Sequence, residues 1–252
     1  MNGIKLSGVV ITFNEEDKIA RCIRSLFRVC DEVIILDSFS SDNTRHIAEE
    51  LKAKVFQHTF DGHIQQKNRA IAFATSPYIL SLDADEELSP ELIEFITKVK
   101  KNWEYDAYQM NRLNNYGGQW IRHGAWYPDK KLRLWDSRKG HWGGENPHDK
   151  FIMDPGSSIF HLQGVILHYT MNGFEDLISQ TDKFSTIAAK AMFDKNRKIS
   201  KVEIIFKTVF RFIKEYIFLL GFLDGKAGFD IAIMNARYVW LKYTKLQQLR
   251  KI

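Results

Sequence analysis

An α/β fold, with a mostly parallel, doubly wound sheet followed by a C-terminal helical extension, is what this 252-residue chain predicts. Three observations carry that reading. Short apolar runs alternate with amphipathic stretches over roughly the first hundred residues, the pattern of strands crossed by helices. Several of those runs stop in polar or acidic residues, and open α/β sheets bind their ligands at the carboxyl ends of the strands. From Phe174 the apolar residues switch to helical spacing.

Gly8-Val9-Val10-Ile11-Thr12 reads as the first buried strand. Asn14 reads as the N-cap of the first helix, with Asp17 three residues on in the manner of a capping box. Ile19, Cys22, Ile23, Leu26 and Phe27 form that helix's apolar stripe. Glu32 to Asp37 is a second strand ending in an acid, and the polar loop Ser38 to Asp42 leads into a helix that reaches about Leu51. Lys54 to His58 gives the third strand and Ile64 to Ala74 the third helix.

The fourth strand is Tyr78-Ile79-Leu80-Ser81-Leu82, which stops in Asp83-Ala84-Asp85-Glu86-Glu87. Asp83 and Asp85 are two apart, so on an extended chain they share a face and can turn toward one divalent cation and the phosphates it carries. By itself such a pair is more often a solvated acidic turn before a helix. Ser89-Pro90-Glu91 supplies an N-cap, a proline at the first helical position and an early acid, with Leu92, Ile93, Ile96 and Val99 as the buried face. Glu86 and Glu87 then lead into that helix.

From Asp106 the texture changes to Trp-, Tyr-, Gly-, His- and Arg-rich segments, including Trp142 to Asp149, read as turns and irregular β-structure suited to a substrate site. Phe174 to Met192 is an amphipathic helix. Val202 to Leu220 is apolar on more than one face but interrupted by Lys207, Arg211, Lys214 and Glu215. Gly221 to Gly225 breaks the chain, and a last helix runs from about Phe229 to Leu249. The longest clean apolar run, Tyr216 to Leu223, is far short of the roughly 20 residues that span a bilayer.

Composition narrows the class. No export signal is evident in the opening residues, and Cys22 and Cys30 fit neither a disulfide framework nor a metal pattern, so a reducing cytoplasm is expected. Lys195 to Ile252 holds 13 Lys and Arg against four Asp and Glu, which makes this segment the basic part of the chain. Its partner is an anionic surface, membrane phosphate or nucleic acid by charge alone. The composition of the last helix, with Tyr238, Trp240 and Tyr243 among scattered cations, suits either an interfacial helix on anionic lipid or a hairpin that covers the domain.

Val10 to Glu15, Ile34 to Asp42, Gln66-Lys67-Asn68 and Leu82 to Glu86 fall in an order and spacing that resemble the family-2 glycosyltransferases with the GT-A fold. Lys131 to Trp135, His148-Asp149, His168 and Gly221 to Gly225 extend the match, and with them the chain looks like the lipopolysaccharide core β-1,4-glucosyltransferase subgroup. The resemblance implies a catalytic domain over residues 1–172, with a nucleotide-sugar half (1–105) and an acceptor half (106–172), and a basic amphipathic extension over 173–252.

Position by position, it implies that Thr12, Asn14, Glu15, Asp37, Lys67, Asn68, Asp83 and Arg133 bind the nucleotide sugar. Asp37 would meet the base or ribose, Asp83 the ribose, and Lys67, Asn68 and Arg133 the diphosphate. Asp85, with His168, would hold Mg²⁺ or Mn²⁺. Relatives place a glutamate after the histidine that this chain has as His148, so Asp149 is the implied catalytic base, with Glu145 its rival. The activity implied is inverting transfer of a hexose, glucose from UDP-glucose, to a lipopolysaccharide core or related glycolipid by an enzyme peripheral to the inner face of the cytoplasmic membrane, with no nucleic-acid partner. Transfer to another cell-surface polysaccharide is the nearby alternative. A nucleotidyltransferase would need a Gly-rich phosphate loop, and Asn14-Glu15-Glu16 stands there instead. A non-catalytic membrane-binding module is the third class.

Overall fold

The structure, a computed structural model, describes residues 3–145 and 148–250, with only the backbone of Glu145 and His148. The chain divides into two compact units, Met1–Arg112 with Asp129–Tyr169, and Leu113–Pro128 with Thr170–Ile252.

The first unit is built on the expected alternation: β1 (Ser7–Thr12), α1 (Ile19–Leu26), β2 (Glu32–Asp37), α2 (Thr44–Glu50), β3 (Lys54–Gln57), α3 (His63–Ile71) and β4 (Tyr78–Asp83). β1 lies between β2 and β4 and pairs parallel with both, while β2 pairs parallel with β3. β1, β2 and β4 are almost wholly buried, which is why they read as continuous apolar runs rather than alternating ones, while β3 is the half-buried edge. Their register aligns the strand ends. Thr12 is level with Asp37, and Ile11 with Asp83, so the polar ends of three strands emerge at one edge of the sheet.

After β5 (Glu86–Leu88) and α4 (Pro90–Lys101) come β6 (Ala107–Tyr116), β7 (Gln119–Ile121), β8 (Asp129–Asp136), β9 (Gly140–Glu145), β10 (His148–Met153) and β11 (Ile159–Met171). β8 joins β4 antiparallel, β6 joins β8 antiparallel, and β5 joins β11 antiparallel, giving the order β3-β2-β1-β4-β8-β6-β11-β5. The sheet is thus mixed, parallel in its first half. β9 and β10 form a separate hairpin.

Three local expectations need correcting. The first helix starts at Ile19, not beside Asn14, because the Asn14 side chain accepts from Ser41 N at 2.8 Å and its backbone turns left-handed at φ 54°. Asn14 ties two loops together instead of capping a helix. Glu86 does not lead into α4: it lies in β5, fully buried against two arginines. The stretch after Asp106 is more regular than its composition suggests, since its longest strand, β11, has 13 residues. The capping of α4 is as predicted, with Ser89 Oγ accepting from Leu92 N at 3.2 Å and Pro90 in the first turn.

Glu32 fastens the amino edge of this sheet. It accepts from Ser7 Oγ at 2.6 Å, from Thr75 N and Oγ1 at 2.7 Å, and from Lys54 Nζ at 2.6 Å. Burial pushes its carboxyl up, and those donors outweigh burial and bring it down to about 2. A lowered folded value stabilises above the unfolded value near 4.5 and is lost as pH falls through the folded one. Glu32→Gln is therefore expected to cost about 2 kcal/mol at neutral pH, and little near pH 2, in denaturant melts.

The second unit holds the helices α5 (Phe174–Asp194), α6 (Lys201–Ile213) and α7 (Gly225–Leu249), joined by a π turn over Lys214–Phe218 and a 3-10 turn over Gly221–Asp224. Its core is formed by Tyr116, Ile121, Met171, Leu177, Ala227, Ile231 and Met234. The glycine-bounded break expected at 221–225 is explained by contact. A Cβ on Gly228 would collide with the carbonyl of Gly221, so α7 packs directly on the turn. Asp224 in that turn accepts from Arg122 N at 3.0 Å, His123 N at 2.8 Å and Gln119 Nε2, the last through its carbonyl. Among the described residues, no helix is long and apolar enough to cross a membrane.

Candidate active site

Where β4 ends, Asp83 leaves the sheet and meets two cations. Its Oδ1 lies 2.9 Å from Lys67 Nζ on α3, and its Oδ2 lies 2.5 Å from an Arg133 NH₂ on β8. Lys67 reaches further, to Asp149 Oδ2 on β10 at 2.8 Å, so one ammonium bridges two carboxylates that are 66 residues apart in sequence. The Trp142 ring lies under the same ammonium, 4.3 Å from ring centre to nitrogen. Burial pushes the Asp83 carboxyl up, but Arg133 and Lys67 outweigh it and hold Asp83 well below the usual carboxylate range.

Arg133 is fixed from behind. The same NH₂ sits 2.7 Å from Glu86 Oε1, and Arg112 reaches that oxygen at 3.2 Å. Glu86 Oε2 accepts from the Asp83 backbone N–H at 2.9 Å, which ties the strand end to the arginine pair. Glu86 thus positions the acidic turn and the guanidinium together, a role that its place in the sequence does not announce. Asn68, neighbour of Lys67, exchanges hydrogen bonds with the backbone of Trp142, donating at 2.9 Å and accepting at 3.0 Å. It anchors β9 to α3 and so sets where Lys67 and Trp142 meet.

Lys67, Asp83, Arg133, Trp142 and Asp149 line a cavity of about 450 Å³, and four more cations, Arg112, Lys130, Lys131 and Lys150, complete its wall. Six cations face two aspartates, and even with Glu86 and Asp129 pairing Arg112, Lys131 and Arg133 from behind, the recess keeps a positive excess suited to phosphate groups. On the other side of Asp83, a second cavity of about 240 Å³ is lined by Thr12, Phe13, Glu15, Ser38, Phe60 and Asp85, among others. Thr12 is buried there, and its Oγ1 has no hydrogen-bond partner among the described residues. Burial raises the Glu15 carboxyl, with the Asp85 charge adding to it and Lys18 opposing.

Asp37 sits under this second cavity rather than in its wall. It is fully buried, and its carboxylate accepts from Ser40 N at 3.0 Å, Gln57 Nε2 at 3.1 Å and the Ser40 hydroxyl. Those bonds shape the Ser38–Asp42 loop, which Asn14 then grips from β1.

Asp85 and His168 come together, carboxylate Oδ2 to imidazole Nε2 at 3.1 Å, because β5 and β11 pair with His168 opposite Glu86. Among the described residues, no three or more His, Cys, Asp or Glu side chains converge on one point. An oxygen and a nitrogen donor at a cavity edge fit a Mg²⁺ or Mn²⁺ ion that draws its remaining ligands from phosphate and water, as such ions do at nucleotide sites. The side chain of Glu145, the rival base, lies outside the described residues, as does that of His148.

The residues brought together are thus Lys67, Asp83, Arg133 and Asp149 on one side, and Thr12, Glu15 and Asp85 on the other. Sequence reasoning missed Trp142, Arg112, Lys130, Lys150, Phe13 and Phe60. Trp142 carried a signal only as part of the aromatic-rich stretch after Asp106 and Phe13 only as part of Val10 to Glu15, while Phe60 and the cations carried none.

An uncharacterized glycosyltransferase of Rickettsia typhi is 31% identical over 255 residues, which covers 97% of this chain and 87% of that protein. The lipopolysaccharide core biosynthesis glycosyltransferase LpsC of Rhizobium meliloti is 25% identical, covering 97% of this chain and 93% of its own. A solved glucosyl-3-phosphoglycerate synthase of Mycobacterium tuberculosis, in complex with Mn²⁺ and UDP-glucose, superposes with a TM-score of 0.38 at 22% identity, over 45% of this chain and 44% of its own, too distant to carry a donor or a metal across. The strand ends and loops that build both cavities fall within residues 7–154, which match the family model for glycosyl transferase family 2. With more than half its length in that match and the sheet edge arranged as described, the chain belongs to glycosyl transferase family 2.

Proposed function

We propose that this protein is an inverting hexosyltransferase that moves glucose from UDP-glucose to a phosphorylated, membrane-held lipopolysaccharide core or related glycolipid. The observation that carries the reading is the Lys67 bridge between Asp83 and Asp149 in a cavity walled by six cations. The nucleotide occupies the cavity bounded by Thr12, Glu15 and Ser38, and its ribose reaches Asp83. The diphosphate then lies between the two cavities, where Lys67 and Arg133 pair with its oxygens, the guanidinium through its planar fork. Asp85 and His168 would hold a divalent cation, which would supply further neutralisation of diphosphate charge.

Asp149 accepts the proton of the acceptor hydroxyl as that oxygen attacks the anomeric carbon from the face opposite the leaving group. Its Oδ2 accepts from Lys67 Nζ at 2.8 Å. A diphosphate competes for that ammonium, so donor binding frees the base, and the order of binding is donor first. Lys130 and Lys150 stand at the cavity wall with no acid bonded to them among the described residues, and we assign them to phosphate groups of the acceptor. The basic extension over residues 173–252 works at an anionic membrane surface on its cytoplasmic side, where such acceptors are exposed.

A thermal-shift screen of nucleotide sugars tests this, because a ligand bound only by the folded state raises the melting point. UDP-glucose with Mn²⁺ is expected to give the largest shift. An equal shift from every nucleotide sugar and from free phosphate would leave the donor assignment without support.

A further inference from the structure

The helix α6 leaves a broad apolar face in solvent. Its inward side carries Ile204, 2% exposed, the half-buried Thr208 and Phe212, and, in the π turn that follows, Glu215, 1% exposed. The Phe212 ring packs edge-on against Phe229 of α7. The solvent side carries Val202, Ile205, Phe206, Val209 and Phe210, and Ile217 and Phe218 continue it through the π turn. Phe206 and Phe218 are 69% and 68% exposed. A surface helix ordinarily turns its apolar stripe to the core and its charges to water. Here apolar residues stand on both sides, and the exposed ones share the solvent side with Lys201, Glu203 and Lys207. Glu215 Oε2 accepts from Asn235 Nδ2 on α7 at 2.7 Å, and Arg211 pairs with Glu215, so these polar contacts join Phe212 in seating the helix on α7 while the other apolar residues stay outside.

The patch does not end with α6. Leu220, Phe222 and Leu223 in the following turn are each about half exposed. An apolar surface of this extent on a soluble unit marks a place where something apolar sits. At 13 residues α6 is about 20 Å long, too short to cross a bilayer but long enough to lie in its interface.

Charge decides between occupants. Lys198, Lys201, Lys214 and Lys226 stand exposed around this surface in sequence, and Lys207 borders the apolar face of α6. Behind Lys207, Lys242 lies 4.7 Å from the Tyr243 ring, and burial together with Arg211 and Lys207 depresses it, as expected of crowded like charges. Of the acids in this region, Glu215 and Asp224 are buried, and Glu203 is engaged both in the α6 capping box and with Lys207 at 3.6 Å, which leaves Lys198, Lys201, Lys214 and Lys226 as the rim. A second copy meeting the patch through a two-fold axis would bring two cationic rims together. An anionic leaflet presents the complement to both the apolar face and its border.

We infer that the outward face of α6, with the turns that follow it, is an interfacial docking surface that inserts Phe206, Phe210 and Phe218 into the headgroup boundary of an anionic bilayer. This deepens the proposed membrane role by placing the contact on α6 rather than on α7, whose sequence suited either an interfacial helix or a covering hairpin. It does not depend on the transfer chemistry.

The test is flotation of the full chain with vesicles of phosphatidylcholine, with and without phosphatidylglycerol, together with sedimentation velocity in their absence. The wild type is expected to float with the anionic vesicles and to sediment as a monomer. Phe206→Ser/Phe210→Ser/Phe218→Ser is expected to lose at least about tenfold in partitioning, since each ring contributes buried apolar area. The single variant Phe206→Ser is expected to lose part of that, and Lys201→Glu/Lys214→Glu to lose the preference for the anionic vesicles. All five side chains are exposed, so melting points and donor hydrolysis stay at wild-type values. Wild-type partitioning by the triple variant, or no binding by the wild type, overturns the inference. So does a stable dimer that the phenylalanine changes convert to monomer, which would make the occupant a second copy. Loss of hydrolysis with intact flotation would count against the proposed reaction alone.

Discussion

Asp149→Asn is expected to reduce transfer by about 10²- to 10⁴-fold while leaving donor binding within a few fold, because the amide keeps the shape of the carboxylate but cannot take a proton. Asp149 is the acid that shares Lys67 with the donor-side Asp83, which places it at the junction of phosphate and acceptor in the proposed site. Initial rates of UDP release and a separate donor-binding isotherm separate the two effects. Glu145→Gln is the comparison: if Asp149 is the base, this variant keeps most of the rate. The reverse pattern would transfer the role to Glu145.

Lys67→Met has the second large effect, and it acts on both stability and catalysis. The methionine fills the space but leaves Asp83 and Asp149 without their shared cation. Removing one partner of a buried ion pair costs about 3–5 kcal/mol. Asp83 keeps 31% side-chain exposure and its Arg133 partner, so about 2 kcal/mol is the expected loss in denaturant melts. The pH dependence follows in sign. The cations hold the folded carboxyl of Asp83 below its unfolded value, so their contribution is present above roughly pH 4 and disappears as pH falls through the folded value. Without Lys67 the folded value rises, and acid unfolding is expected to begin at a higher pH. In kinetics, Lys67→Met is expected to raise the donor KM and to lower kcat as well, since the ammonium pairs with the leaving diphosphate.

Why some of this could be read from the chain and some could not is visible in particular residues. β1, β2 and β4 were legible because buried parallel strands need unbroken apolar runs, and their polar ends, Thr12, Asp37 and Asp83, mark the ligand edge by the logic of the sheet alone. The Ser89-Pro90 start of α4 was legible because capping is local. Asn14 has the composition of a cap, but a loop 27 residues away claims its side chain. Glu86 looked like a helix approach, because nothing near it in sequence announces Arg133, 47 positions on. The Lys67–Asp149 contact spans 82 positions and depends on Asn68 holding β9 against α3. The exposed face of α6 was hidden for a related reason: the sequence shows apolar residues on more than one side of this stretch, and only its partners decide which of them are covered.

The cationic cavity around Lys67, Asp83 and Asp149 is proposed to carry sugar transfer with inversion. Proton NMR of the product formed from UDP-glucose, Mn²⁺ and a deacylated, phosphorylated core oligosaccharide tests this most directly. A new β-anomeric signal growing in step with free UDP is expected for the wild type, and neither for Asp149→Asn. An α-anomeric product, or equal turnover in the Asp149→Asn protein, would contradict it.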